Sequence, residues 1–213
     1  MIELASWSTF AASLVTLTAL LLFITSNWRW SIGLLAIQYG GVFLLVAAHW
    51  PPAMAVTKLI SGWIAGAILG LAIANTPERQ EITPKTEKTS PNRRVTAIMQ
   101  SARGQAFSIL AALLVAMTVL SRLPHSADVL PGIGSAPVWG GLILMGMGLL
   151  KLGFRAQTLP TILGLLTALS GFEVLYSAVQ KSVLVAGLLA GVNLALALAG
   201  AYLLVAPFME ETE

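Results

Sequence analysis

Long apolar runs occupy most of the chain, and short polar segments separate them. Seven of these runs have about the length that a helix needs to cross a bilayer. They cover Leu4–Thr25, Trp30–Ala48, Pro52–Asn75, Ala106–Ser121, Val138–Phe154, Leu159–Ala178 and Val183–Phe208. The pattern predicts an all-α, polytopic transmembrane helix bundle with about seven spans, and six or eight spans are the alternatives.

One long polar segment interrupts this pattern. From residue 76 to residue 104, polar and charged residues alternate with three prolines, a composition typical of a solvated linker. Between Arg94 and Arg103, apolar residues fall at helical spacing. This spacing predicts a helix that lies against the lipid headgroups and leads into the fourth span. The chain thus divides into a three-helix unit at 1–75, the polar cytoplasmic loop with its interfacial helix at 76–104, and four helices at 105–213.

The basic residues fall unevenly on the two sides of a seven-span chain. Of the 12 lysines and arginines, all but Lys58, Arg122 and Lys181 lie on one side. Because cytoplasmic loops carry the excess of basic residues, we expect the amino terminus outside and the carboxyl terminus in the cytoplasm. The expected location is a plasma or inner membrane, with a thylakoid membrane as the alternative.

Composition restricts the classes of function. Hydrophobic residues make up 57% of the chain and charged residues only 10%, whereas a soluble domain carries about 25% charged residues. The lipid bilayer is therefore the expected surrounding, and little chain is left for a soluble catalytic domain. Cysteine is absent, and the sequence contains no phosphate-binding glycine loop, metal-ligand cluster or Ser/His/Asp group. We therefore expect a protein that is not an enzyme and has no cofactor, no metal and no nucleic-acid partner.

A faint internal repeat accompanies the predicted topology. Shifting the chain by 131 residues superposes Phe23 on Phe154 and Gly40 on Gly171. Two three-helix units that are separated by a single helix have the same orientation in a membrane. A 3+1+3 parallel repeat is one interpretation, and chance similarity between leucine- and glycine-rich helices is the other.

Two ionisable residues lie within the apolar runs at the same predicted depth. Glu173 is the single acidic residue inside any of these runs, and Lys58 lies in the third run. An intramembrane carboxylate is costly, and such residues commonly serve in proton or cation movement. An interfacial or structural role is the alternative for Glu173. An ion pair between the two is geometrically possible, although the sequence favours Lys58 snorkelling to the outer surface.

Three further polar residues are candidates for ion translocation. Lys151, near the end of the fifth span, is either a proton-path lysine or a cytoplasmic anchor. Gln38 in the second span and Asn193 in the seventh can hydrogen-bond across helices or hold water, as can Tyr39, which follows Gln38. Polar residues of this kind most often contribute to helix packing.

Two glycine series indicate smooth helix faces. Gly62, Gly66 and Gly70 are spaced by four in the third span, and Gly187 and Gly191 repeat that spacing in the seventh. Small residues at this spacing let helix backbones approach closely. These five glycines are therefore predicted to serve helix packing, within the chain or against partner subunits.

The sixth span carries a family resemblance. The segment LPTILGLLTALSGF, from Leu159 to Phe172, follows a helix and a short basic turn. It resembles the K-type small subunit of respiratory complex I, the C subunit of multisubunit sodium/proton antiporters and component E of hydrogenase-4. In that family the middle helix usually carries an acid soon after the Ile/Leu-Gly-Leu element. This sequence has Leu166 or Leu169 there, and Glu173 follows Leu169 by one helical turn. Either Glu173 substitutes for the family's acid, since one turn along a helix keeps nearly the same face, or the proton path is altered or lost.

The resemblance covers about 70 residues in the last three helices, with the first three helices as a further candidate, and it implies a function. It implies a non-catalytic membrane subunit of a proton- or sodium-translocating complex, with antiporter-like membrane subunits as partners. A stand-alone small solute transporter with a 3+1+3 arrangement, as in SWEET-type carriers, is one alternative. A structural or assembly subunit is the other, and it predicts that Glu173 can be replaced without loss of function.

Overall fold

The described segments of the chain are helices joined by short turns. The computed structural model describes the backbone of residues 2–76, 91–122, 134–154 and 157–209. Within these ranges it contains seven helices and no strand. They are α1 (Ile2–Ile24), α2 (Trp28–Ala47), α3 (Pro52–Ala74), α4 (Pro91–Arg122), α5 (Ser135–Phe154), α6 (Thr158–Val179) and α7 (Val183–Met209). The predicted all-α fold is confirmed.

Within the described ranges, six helices are long and apolar enough to cross a membrane, judged by length and composition. The exception is α4, whose apolar part, Ala106–Ser121, is shorter. That part matches the predicted fourth span residue for residue. The described ranges therefore contain six helices of full spanning length and one short apolar helix in the place of the fourth of the seven predicted spans.

α4 runs without a break from the polar segment into this apolar part. Its first half is the helix predicted at the end of the polar segment, and the side chains of that half lie outside the described residues. Phe107 contacts Phe154 of α5, with ring centroids 5.5 Å apart. Val115 packs on Gly146, two turns earlier in α5. α4 is therefore antiparallel to α5 and carries the chain across the bundle a fourth time.

Capping residues and prolines set the ends of the helices. Asn27 precedes α2, and its Oδ1 accepts a hydrogen bond from the backbone N–H of Arg29 at 3.1 Å. Pro52 begins α3, a position where a missing N–H breaks no helical hydrogen bond. At the same end of the bundle, the indole N–H of Trp50 donates to the Gln180 carbonyl at 2.9 Å. We call this side the Trp50 end and the opposite side the Arg29 end.

Each helix of the first three-helix unit runs parallel to its counterpart among the last three. Phe23 of α1 contacts Phe154 of α5 edge to face, with ring centroids 5.8 Å apart. Gln38 of α2 donates a hydrogen bond to Thr167 of α6, 129 residues further on. α3 and α7 also share an extensive contact. The two units thus pair helix by helix. The residues in contact are about as far apart in the sequence as the 131-residue shift of the internal repeat.

The closest helix pair, α5 with α6, depends on four glycines. Gly141 and Gly148 of α5 face Gly171 and Gly164 of α6. A Cβ atom at Gly171 would lie 2.5 Å from the backbone nitrogen of Met145, and one at Gly164 would lie 2.9 Å from the Gly148 carbonyl oxygen. The two backbones are therefore in direct contact, in the manner of small-residue interfaces in membranes.

Candidate functional site

Four polar side chains from four helices meet in the interior near the Trp50 end. They are Tyr39 of α2, Lys58 of α3, Glu173 of α6 and Asn193 of α7, and we call them the polar cluster. Tyr39 and Asn193 are fully buried, Glu173 is 3% exposed and Lys58 is 6% exposed. The cluster lies where the first three-helix unit meets the last.

An ion pair forms the centre of the polar cluster. The ammonium group of Lys58 contacts Oε2 of Glu173. The other carboxylate oxygen, Oε1, accepts a hydrogen bond from Nδ2 of Asn193 at 3.1 Å. A charge in hydrocarbon is tolerated when it is paired and hydrogen-bonded, and both conditions hold for this carboxylate.

Tyr39 is the fourth member of the polar cluster and contacts both Asn193 and Lys58. Its hydroxyl donates to Oδ1 of Asn193 at 3.1 Å, which fixes the amide so that its NH₂ group faces Glu173. The Lys58 Nζ also lies 4.8 Å from the centroid of the Tyr39 ring, a cation–π distance. Asn193 and Tyr39 thus orient the carboxylate and the ammonium respectively.

Local sequence explains how a large aromatic ring fits beside the ion pair. Gly62 follows Lys58 by one helical turn on the same face of α3, and the Tyr39 ring packs directly on its backbone. A Cβ atom at Gly62 would overlap that ring. The glycine is therefore what allows α2 to place Tyr39 against Lys58.

The ion pair lies inside the bundle and not at its surface. Lys58 is about 9 Å along α3 from its first residue, and Glu173 is about 9 Å before the end of α6, at 1.5 Å per residue. A narrow cavity of about 10 Å³ adjoins both side chains and is lined by Trp50, Met54 and Thr57 towards the Trp50 end. That volume is close to the minimum that holds one water molecule.

The structure brings together three of the five predicted ion-translocation residues. Glu173, Lys58 and Asn193 belong to the polar cluster. Gln38 is fully buried in the next position to Tyr39 but points to α6, where its Nε2 donates to Thr167 Oγ1 at 3.4 Å. Its Oε1 has no hydrogen-bond partner among the described residues.

Lys151 is buried elsewhere. It lies in the last turn of α5 at the Arg29 end, and its ammonium donates to the carbonyl of Leu22 in α1. The first residue of α6, Thr158, lies at that same end. Glu173 follows it by 15 residues, which is about 22 Å along a helix. Lys151 therefore has no direct contact with the polar cluster.

One expectation about these side chains needs correction. The expectation that Lys58 snorkels to the surface is wrong, because its side chain is buried and ion-paired. Tyr39 was predicted to hydrogen-bond across helices or to hold water, and its hydroxyl does bond to Asn193 of α7. Its proximity to Lys58 arises from the packing of α2 on α3, and no pattern within α2 alone indicates it.

The glycine predictions divide between the two helices. Gly62 contacts Tyr39, and Gly66 and Gly70 face Ile32 of α2, so the series in α3 serves helix packing as predicted. Gly187 and Gly191 lie on an exposed face of α7, where a Cβ atom would meet nothing within 4 Å. These two glycines therefore have no packing contact with the described residues, and packing against partner subunits stays a prediction.

The described residues offer no group of three or more His, Asp or Glu side chains that could hold a metal ion. Comparisons with protein-family models, with curated proteins and with solved structures find no match. The class of the protein therefore follows from the fold itself. Its long apolar helices define an integral membrane protein of the polytopic helical class, in contact with the lipid bilayer.

Proposed function

We propose that this chain is a non-catalytic membrane subunit of a proton- or sodium-translocating complex, and that Glu173 and Lys58 handle the ion. The observation that supports this most strongly is the buried Lys58–Glu173 pair. Stability alone does not explain it, since a buried ion pair can often be replaced by apolar residues without loss of stability. Ionisable side chains inside membrane bundles instead mark ion pathways.

The chemistry of the polar cluster favours a proton over a sodium ion. Glu173 presents one oxygen to an ammonium and the other to an amide N–H. Hard metal cations are bound by shells of oxygen atoms, and here donors already surround the carboxylate. A proton needs a single carboxylate oxygen. When Glu173 is protonated its attraction for Lys58 falls, and when it releases the proton the ion pair forms again.

The position of a small cavity supports proton access from the Trp50 end. This cavity adjoins Lys58 and Glu173 and is lined by Trp50. With the amino terminus outside, as the basic residues favour, this end faces the outside and the Arg29 end faces the cytoplasm. Glu173 also lies in the middle helix of the last three, the helix that carries the acid in the K-type family that this segment resembles. Antiporter-like subunits are the partners that we propose.

The test is proton movement by the protein together with everything that copurifies with it. The assembly is extracted gently from native membranes, reconstituted into vesicles and driven by an imposed potential while a dye reports internal pH. We expect Glu173→Gln to lower proton flux by about a hundredfold or more, the usual size of a lost proton-transfer group. Glu87→Gln, a matched change in the polar segment 76–104 of the sequence, should leave the flux unchanged.

Native mass of the same sample separates loss of transport from loss of assembly. The proposal requires that Glu173→Gln retains the partners and the mass of the wild-type assembly. Full flux in a Glu173→Gln assembly of wild-type mass would contradict it and would favour the structural or assembly role.

A further inference from the structure

Buried polar side chains continue from the polar cluster towards the Arg29 end. They are Gln38 of α2 with Thr167 and Ser170 of α6, and we call them the α2–α6 seam. Gln38 and Ser170 are fully buried, and Thr167 is 2% exposed. A polar group in hydrocarbon is costly unless it is hydrogen-bonded, so the partners of these three side chains indicate what the seam does.

Ser170 joins the α2–α6 seam to the polar cluster. Its side chain hydrogen-bonds the hydroxyl of Tyr39, which itself donates to Asn193. The Ser170 hydroxyl also donates to the carbonyl of Leu166 at 2.8 Å. A hydroxyl has a single proton and two acceptor positions, so the Ser170 proton can turn from one partner to the other. Such a group can pass a proton along a chain of hydrogen bonds.

The amide of Gln38 has one group that no described residue satisfies. Its Nε2 donates to Thr167 Oγ1 at 3.4 Å, and Thr167 donates its own proton to the Leu163 carbonyl at 2.7 Å. Oε1 of Gln38 is buried and has no hydrogen-bond partner among the described residues. Turning the amide over would leave its NH₂ group without an acceptor, because Thr167 would then face Oε1. A buried water molecule is the usual partner for such a group.

Water can reach the α2–α6 seam from the Arg29 end. A cavity of about 410 Å³ lies at that end and is lined by Ser31 of α2 and by Thr158 and Leu163 of α6. At 1.5 Å per residue, Thr167 lies about 6 Å beyond Leu163 along α6, and Glu173 lies about 9 Å further on. The seam therefore occupies the interval between this cavity and the carboxylate.

We infer that Oε1 of Gln38 holds a water molecule and that this water carries protons between Glu173 and the cavity at the Arg29 end. The inference rests on the proposed function, because it supplies the part of the proton route that lies beyond Glu173. Only O–H bonds change along this route, since each oxygen gains one proton as it releases another. Glu173 loses a proton at one end, and water in the cavity gains one at the other. Gln38 transfers no proton and is a positioning residue, whose amide Thr167 orients.

The first experiment measures proton flux in the reconstituted assembly. Gln38→Met keeps the length of the side chain and removes the amide. We expect it to lower proton flux by about five- to tenfold, the occupancy lost with one hydrogen bond to the water. Gln180→Met, an exposed change at the Trp50 end, should leave the flux unchanged. Thr167→Val should also lower the flux severalfold, and Thr167→Ser, which keeps the hydroxyl, should retain it.

Infrared difference spectroscopy under an imposed proton gradient separates water binding from a structural role. The wild-type assembly should show an O–H band of internal water that shifts when the water is labelled with heavy oxygen. This band should be missing from Gln38→Met and present in Gln180→Met. Wild-type flux or an unchanged water band in a Gln38→Met assembly of wild-type mass would overturn the inference.

Two comparisons keep the outcomes distinct. If Gln38→Met loses its partners, the Thr167 variants decide, and equal flux in Thr167→Val and Thr167→Ser would overturn the inference. Wild-type flux in Gln38→Met together with lost flux in Glu173→Gln would refute the inference and leave the proposed function standing. Full flux in Glu173→Gln would refute both.

Discussion

Breaking the Lys58–Glu173 pair on one side should destabilise the protein far more than removing both charges together. Each single change leaves one charge buried, since Lys58 is 6% exposed and Glu173 is 3% exposed. Removal of one partner of a buried pair costs about 3–5 kcal/mol, whereas replacement of both by groups of similar volume is often neutral. We therefore expect Lys58→Met and Glu173→Gln each to lower the free energy of unfolding by about 3 kcal/mol or more.

The two single changes are not equivalent in their surroundings. After Lys58→Met, the carboxylate keeps its hydrogen bond from Asn193. After Glu173→Gln, the ammonium keeps the Tyr39 ring, a contact worth about 2 kcal/mol when desolvated. Both singles thus retain part of their compensation, which places the expected loss at the lower end of that range.

The double variant provides the measurement. Reversible unfolding of all four proteins in mixed micelles yields a double-mutant cycle, and the Lys58→Met/Glu173→Gln protein should recover most of the stability that each single change loses. With losses of about 3 kcal/mol in each single variant and about 1 kcal/mol in the double variant, the expected coupling energy is about 5 kcal/mol, above the usual range for groups in contact because each single change leaves a charge buried. Additivity of the two single changes to within about 0.5 kcal/mol would refute the reasoning, because it would mean that the charges do not interact.

Two further predictions concern glycines that pack against a neighbouring helix, and each has a control glycine with more room. The control variants should keep the stability of the wild type or gain up to about 1 kcal/mol, because alanine has the better helix propensity. Gly62→Ala should cost about 1–3 kcal/mol, because its Cβ would overlap a buried tyrosine ring. Gly66→Ala is its control, since the nearest atom lies 4.0 Å away. Gly171→Ala should also cost about 1–3 kcal/mol by separating α5 from α6, and Gly153→Ala, which meets nothing within 4 Å, is its control. Thermal unfolding in detergent measures both pairs, and equal stability within a pair would contradict the packing argument.

The helices could be predicted because hydrophobicity alone decides where a chain enters a bilayer. Apolar runs of sufficient length predicted the six long helices. The start of the third span at Pro52 was also correct, because a proline at the first helical position breaks no helical hydrogen bond. Such features need no knowledge of neighbouring helices.

The polar cluster was harder to predict because its contacts join residues that are distant in the sequence. Glu173 was identifiable as an acid within an apolar run, but its partner depended on how α3 packs against α6. Tyr39 and Asn193 are 154 residues apart and bond across two helices. The equal predicted depth of the two residues showed that a Lys58–Glu173 pair was possible. Only the packing of the helices shows that Lys58 pairs with Glu173 and does not snorkel to the surface.

The close contact of α5 with α6 illustrates the same limit. Gly141 and Gly148 are seven residues apart, as are Gly164 and Gly171, so neither helix shows the four-residue spacing that identifies α3. Conversely, Gly187 and Gly191 have that spacing in α7 and face away from the bundle. Spacing alone indicates a smooth face, and the neighbouring helices determine whether that face is used.

The central claim is that Glu173 takes up and releases a proton, and infrared difference spectroscopy tests it most directly. Spectra of the reconstituted assembly would be recorded with and without an imposed proton gradient. The account predicts a carbonyl band of a protonated carboxylic acid that shifts in D₂O, disappears in Glu173→Gln and persists in Glu87→Gln. An identical band in Glu173→Gln, or proton flux without any such band in the wild type, would contradict it.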